Sequence, residues 1–498
     1  MFERDSSIAV PEQARVPRSA AVRKSFQELR KSALFGNFLS VGLATVVSRA
    51  LGLITLGYPA RTLGPECFGM VGYAASLVAY ASILQSPGLL LWGTRAVARD
   101  ASSARETLFS VYSIRVVLSL LGYVALVLFA VTLVGSHLQR SVIVVSGTVL
   151  LFTALSADWA LNGIGSVQIP AWISVGTTAL NVCALLTLVR SPSDLLVYCT
   201  LAPAVALTAS GAGYLALARF RRVSVRVVRP RHLWKVACQS APLGLVSALV
   251  VVLHYSNNLI IYARLGSHDL GVFLASYRLI ELATMVPSLL GTVFFPRLMK
   301  AAVSDLAAAK GGARLFAQVH MVAAFFFAAV LFAEAPSIVR ILYGVKYQET
   351  VPLLRVMAFS VIFNYAICGY TNCLISFGRD RVMIAVVSAS ALVSVGGGLL
   401  LVPLLGLWGA ALVITCLDCV GWLVSLPAYR ATIGSLQFGV WLWPAVGGLL
   451  VATSSIILQH TGLPVWGRVP LITLGYGLFL IVSIRDYRRH ELTQPPMR

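Results

Sequence analysis

The chain has 498 residues, 58% of them hydrophobic and 11% charged, with 39 Lys and Arg set against 18 Asp and Glu for a net charge of +21. A soluble domain carries about 25% charged residues, so this chain cannot cover a water-facing surface, and its mean hydropathy of +0.84 says the same. The basic excess does not point to nucleic acid, because the Lys and Arg sit in short loops between apolar stretches rather than on a soluble face.

Residues 1–32 are polar and Arg-rich. They lack the apolar core of a signal peptide, and Glu3, Asp5 and Glu12 argue against an organellar transit peptide. They read as a cytoplasmic tail whose basic part, Arg15 to Lys31, lies on anionic headgroups. Apolar stretches of about 20 residues, long enough for a hydrocarbon core of about 30 Å, then recur to the end. Hydropathy predicts about fourteen spans. Six fall at 33–60, 69–92, 108–134, 142–161, 171–189 and 195–217. Six more fall at 238–263, 271–294, 315–339, 351–376, 382–402 and 407–426, and two follow at 438–458 and 470–484.

The expected fold is therefore an all-α polytopic membrane protein. A six-helix lobe occupies 33–218, a basic linker 219–236, a second six-helix lobe 237–428, and 429–498 adds two helices and a tail. With Met1 inside, about 28 of the 39 basic residues lie in cytoplasmic segments and about 7 outside, a bias that predicts both termini cytoplasmic in a cell inner (plasma) membrane. The eight cysteines lie mostly within spans, where Cys behaves as a small hydrophobe. Cys416-Leu417-Asp418-Cys419 is formally a CxxC, but redox or zinc chemistry needs a wetter site and further ligands. No cofactor or metal is expected.

The turn after span one reads Leu63-Gly64-Pro65-Glu66-Cys67-Phe68-Gly69, and the turn after span seven reads Leu265-Gly266-Ser267-His268-Asp269-Leu270-Gly271. Both are Leu-Gly-x4-Gly at the same point of each six-span half, and Ala-Arg shortly precedes each. This pattern argues for an internal duplication of the kind found in transporters. The halves enter the membrane in the same direction and are expected to relate by an axis along its normal.

These turns also carry a resemblance. The stretch from Arg61 through Gly69 to Gly93-Thr94-Arg95 resembles the bacterial polysaccharide flippases of the multidrug/oligosaccharidyl-lipid/polysaccharide exporter superfamily. Asp158-Trp159 with Gly163, the run from Gly271 to Phe295-Pro296-Arg297, Tyr343-Gly344 with Tyr347, and Pro403 with Gly406, Gly409, Ala410 and Ala411 are similar in order and spacing. The resemblance covers roughly Phe35 to Leu426. It implies two six-helix lobes around a central cavity and alternating access. It further implies an undecaprenyl-pyrophosphate-linked oligosaccharide as substrate, flipped from the inner to the outer leaflet. Ser48-Arg49-Ala50-Leu51-Gly52 also resembles the first helix of lipid II flippases. One departure is Asn257-Asn258 in span seven, where many relatives carry an acid.

A charge at the centre of a membrane helix costs about 2.5–3.5 kcal/mol on insertion scales. Arg49, Arg115, Arg278 and Arg355 all lie in spans and are the candidate substrate-binding residues, since a guanidinium grips phosphate oxygens bidentately. The structural alternative is pairing or snorkelling, and Glu281 is an i,i+3 partner for Arg278. Asp158, Glu281 and Asp418 are candidates for ion coupling, or mates for the arginines; His254 is a candidate proton site, with a hydrogen-bonded packing histidine as the structural alternative. Glu334, near the rim of span nine, is expected to be solvated. Trp159 is expected to anchor at the interface, with sugar stacking as the functional alternative.

Three rivals remain. A drug or cation exporter of the same superfamily would favour an acidic cavity. A membrane-embedded glycan polymerase or ligase would need a large outward catalytic loop, and no such segment exists, so the chain is not expected to be an enzyme. A scaffold for glycosyltransferases is the third. The expected partners are the lipid-linked oligosaccharide and membrane lipids, with a glycan polymerase and glycosyltransferases beside them.

Overall fold

A computed structural model describes residues 33–99, 104–219, 229–434, 439–459, 466–477 and 479. The fold is 92% helical, with no strand among the described residues. Helix is what lipid demands, because a helix satisfies its backbone N–H and C=O groups within itself. Twelve helices among the described residues are long and apolar enough to cross a membrane. The difference from fourteen has two sources. The first two spans run together as one helical stretch, and the last is described only over its helical residues 466–477.

The merged stretch is α1 (Ala33–Gln85), whose backbone leaves the helix at Gly64 with φ 80 and ψ 170. The second half repeats the device. Helix α9 (Pro230–Leu265) ends at Gly266, φ 96 and ψ −174, and α10 (Ser267–Ala283) departs from it. This left-handed backbone disfavours any side chain with a Cβ, which is why both repeat motifs carry glycine there.

The N-terminal half continues through α2 (Leu89–Arg99), α3 (Ala104–Leu133), α7 (Gln168–Leu188) and α8 (Leu195–Arg219). Its fourth span is not one helix but three pieces, α4 (His137–Gly147), α5 (Val149–Ala154) and α6 (Asp158–Gly163). In the C-terminal half, the eighth span breaks after α10 and resumes as α11 (Met285–Ser304). Then come α12 (Leu306–Ala333), the short α13 (Ala335–Leu342), α14 (Thr350–Ser376), α15 (Arg381–Leu405) and α16 (Leu407–Ile433). The largest buried cluster joins α10, α12, α14 and α16 and includes Phe273, Tyr343, Tyr347 and Tyr365.

Helix α17 (Gly439–Gln459) and residues 466–477 dock on α12. Here the expectation for Glu334 is corrected. It is 0% exposed, accepts from Ser455 Oγ at 2.6 Å and pairs with the buried Arg468 at 3.5 Å. Gln459 donates to the Ala333 carbonyl beside it. Burial forces this pairing, since an isolated ion in a low dielectric is far costlier than a satisfied one. The tail 1–32 and most of the basic linker, 220–228, lie outside the described residues.

Candidate functional site between the two halves

At the end of the bundle that carries the repeat turns, the halves meet reciprocally. A Cβ added at Gly69 would fall 1.8 Å from the Ser267 carbonyl oxygen, and one at Gly271 would fall 1.9 Å from that of Pro65. Residues 65 and 69 stand to 267 and 271 by the same offset that relates the two motifs. The two tight turns thus interlock, each glycine admitting the other half's backbone.

The contact continues inward along α1 and α9. Tyr73 stacks on Tyr262 with centroids 3.7 Å apart, and Asn258 Nδ2 donates to Ser76 Oγ at 3.0 Å. Tyr80 and Ser256 share a hydrogen bond of 2.5 Å. From the loop after α13, the buried Tyr347 donates to the Ala60 carbonyl at 2.9 Å. Asn257 and Asn258 are therefore interior packing groups, with Asn257 Nδ2 donating to the Ala410 carbonyl.

Beyond this closure the faces carry arginines. On α10, Gly271 and Leu274 meet α1, and Arg278 follows at the same helical spacing, roughly 10 Å deeper at 1.5 Å per residue. It is exposed, pairs with Glu281 at 3.0 Å, and lies within electrostatic range of Tyr198 on α8 of the other half. Arg49 of α1 is likewise exposed, and its Nη1 donates to Met285 Sδ of the C-terminal half at 3.1 Å. Two of the four candidate arginines, one from each half, thus reach the face between the halves.

The other two do not. Arg115 is 2% exposed and buried inside the N-terminal half, which corrects its assignment as a substrate group. Its guanidinium holds the broken fourth span, donating to the Thr153 carbonyl at 2.6 Å and to Ser156 Oγ at 3.2 Å. Gln85, Tyr112, Ser210 and Thr94 satisfy the neighbouring carbonyls of Leu150, Ser156, Phe152 and Trp159. A helix broken inside lipid needs these donors, because each orphaned carbonyl there costs several kcal/mol. Arg355 lies over the Phe332 ring and donates to the Phe332 carbonyl, a contact within the C-terminal half. Trp159 is packed against Gly93 and 4% exposed, neither an interface anchor nor a stacking platform.

The ion-coupling candidates divide in the same way. Asp158 opens α6 and lies within electrostatic range of Arg115. His254, Glu281 and Asp418, with Tyr277 and Asn364, line one cavity of about 160 Å³ inside the C-terminal half, whose remaining walls are largely aliphatic. His254 Nδ1 and the Tyr277 hydroxyl are 2.8 Å apart, and Asn364 Nδ2 donates to Asp418 Oδ1 at 3.3 Å. Sequence reasoning named His254, Glu281 and Asp418 but not Asn364 or Tyr277, which carry no charge to draw notice.

Comparison with known proteins fits this geometry. The polysaccharide biosynthesis protein family matches residues 34–302. A lipid II flippase, MurJ, in an inward closed conformation superimposes with TM-score 0.70 at 13% identity, over 90% of this chain and 99% of that one. An inward-facing multidrug resistance MATE transporter of the MOP superfamily gives 0.62 at 16% identity, over 78% and 98%. A MOP superfamily transporter from Pyrococcus furiosus, noted for the reverse polarity of its binding pocket, gives 0.52 at 16% identity, over 80% and 96%. No curated protein sequence matches the chain.

Proposed function

The chain belongs to the polysaccharide biosynthesis protein family, and from that premise we propose that it is a flippase. It carries an undecaprenyl-pyrophosphate-linked oligosaccharide from the inner to the outer leaflet by alternating access of its two halves. The observation that carries this reading is the placement of Arg49 and Arg278, one from each half, on the inter-half face beneath a closed end. Two guanidiniums suit a pyrophosphate, whose oxygens accept forked, charge-assisted hydrogen bonds. With both termini cytoplasmic, as the charge bias predicts, the interlocked turns face outward and the arginines are approached from the inside. Glycosyltransferases and a polymerase act before and after it.

A cation exporter is the alternative, and the carboxylates Glu281 and Asp418 favour it. Their cavity is small, however. Drug-sized ligands occupy about 300–1,000 Å³, whereas about 160 Å³ suits water, a proton or a small cation. These groups therefore serve ion coupling.

The test is export in cells and flipping of a lipid-linked oligosaccharide in reconstituted vesicles. Arg49→Ala and Arg278→Ala should each abolish transport at near-normal abundance, and Lys should restore part of it by keeping charge without the fork. Normal transport by both alanine variants would refute the assignment. A reporter active only outside the cell, fused after Arg498, should stay silent; a strong signal there would reverse the topology.

A further inference from the structure

The broken fourth span leaves a groove on the outside of the N-terminal half. Helices α3 and α8 both pack on α5, and each is tied to it by a hydrogen bond, Arg115 to the Thr153 carbonyl and Ser210 to the Phe152 carbonyl. Helix α5 is only six residues long. Between α3 and α8 lies a cavity of about 440 Å³, walled from Leu108 to Val117 on α3 and by Tyr214 and Leu217 on α8. The Tyr112 hydroxyl is turned inward to the Ser156 carbonyl, which leaves the ring to the groove. Val116 and Val117, exposed at 42% and 57%, mark the side that faces lipid. At 1.5 Å per residue, Leu108 to Val117 rises about 14 Å, the depth of one leaflet of a core of about 30 Å.

One end of this groove is basic. Leu108 is in the second turn of α3, and Leu217 is two residues before α8 ends at Arg219. Val236 of α9 is buried in one cluster with both, which brings the start of α9 to the same end. There Arg219, Arg231 and Lys235 are exposed, and the last two, four residues apart, share a helix face. The acid at this end is Glu106, in the first turn of α3.

We propose that the groove binds an anionic phospholipid of the leaflet level with Arg219. One acyl chain lies between α3 and α8, and the phosphate rests on Arg219, Arg231 and Lys235. Lipid tails are as apolar as leucine, so an apolar groove by itself does not prefer one lipid to another. The shape holds the chain and the three bases select the head, since basic residues at the ends of membrane helices attract anionic headgroups. The bound chain covers Tyr112, and with it the repaired break in span four. The inference uses the fold alone and stands apart from the transport reading.

The experiment is photo-crosslinking of the purified full-length protein in lipid nanodiscs. The probes are phosphatidylglycerol and phosphatidylcholine carrying the same mid-chain diazirine, and adducts are mapped by peptide mass spectrometry. Labelling of 108–117 and 214–217 should be stronger with phosphatidylglycerol. Labelling of the exposed α15 face at Leu392 and Leu399 should not differ between the two lipids. Arg219→Ala and Lys235→Ala should each cut the preference by up to about fivefold, the worth of one basic residue at an anionic surface. Val116→Trp, which fills the groove and leaves the bases, should lower groove labelling by both lipids. Equal labelling of the groove by the two lipids would overturn the proposal, and so would a preference that both alanine variants keep. These variants lie at exposed helix ends, and monodisperse elution of each shows that a change is not one of folding.

Discussion

The two halves share a repeat motif but put their intramembrane charge to different use. In the N-terminal half, Arg115 is buried against the broken fourth span and its hydrogen bonds go to that span's backbone. In the C-terminal half, Glu281 and Asp418 border a cavity beside neutral donors. A guanidinium surrounded by freed carbonyls is a structural repair. A carboxylate that lines a cavity and has a half-exposed partner is open to what the cavity admits. The environment of a membrane charge, rather than its presence, separates the two roles.

The sharpest test of that distinction lies outside both sites, at Glu334 and Arg468. If burial rather than position in a half decides the role, this pair is purely structural. Arg468→Leu should then destabilise the protein by about 3–5 kcal/mol, as loss of one partner of a buried pair does, while Arg468→Leu with Glu334→Leu should recover most of it. Thermal unfolding in detergent measures both. Next in size is Arg115→Ala, expected to cost about 2–3 kcal/mol by orphaning the Thr153 carbonyl. Its abundance should fall in step with activity, unlike that of Arg49→Ala.

Smaller, and equal in the two halves, are Gly69→Ala and Gly271→Ala. Each forces a methyl into a main-chain oxygen, an overpacking worth about 1–3 kcal/mol. That cost falls on the closed end alone, so labelling of a cysteine placed at Tyr262 should rise in both variants. A rise in one and not the other would break the reciprocity. Smallest of all is Asp418→Asn, a near-isosteric change at a residue hydrogen-bonded by Asn364. It should alter stability by less than about 1 kcal/mol yet change the pH dependence of transport; a large stability loss would move Asp418 into the class of Arg115.

Much of the architecture was legible because it rests on hydropathy and glycine. The spans follow from apolar length, and Gly64 and Gly266 mark the two turns by the backbone they permit. The breaks in spans four and eight were not foreseen. Ser156 and Asp158 offered a hint in the first, two polar residues where an apolar run was expected. The site was half legible. Hydropathy flags a charge in a span but not the direction it faces, so Arg49 and Arg278 could not be told from Arg115 by depth alone. Glu334 was misplaced for a related reason: its partners, Ser455 and Arg468, lie far along the chain in helices added to the twelve-span core.

The glycine interlock also bears on how such a chain changes over generations. In a symmetric dimer, residue i meets j while j meets i, and the contacts of Gly69 with Ser267 and of Gly271 with Pro65 have that form. In a two-chain ancestor one codon would govern both contacts at once. In a single chain the side chains around the glycines are free to differ between the halves, as Pro65 and Ser267, Glu66 and His268, and Cys67 and Asp269 do. The glycines gain no such freedom. What each of them meets is a carbonyl oxygen of the main chain, which every amino acid carries, so no second substitution across the contact can make room for the first.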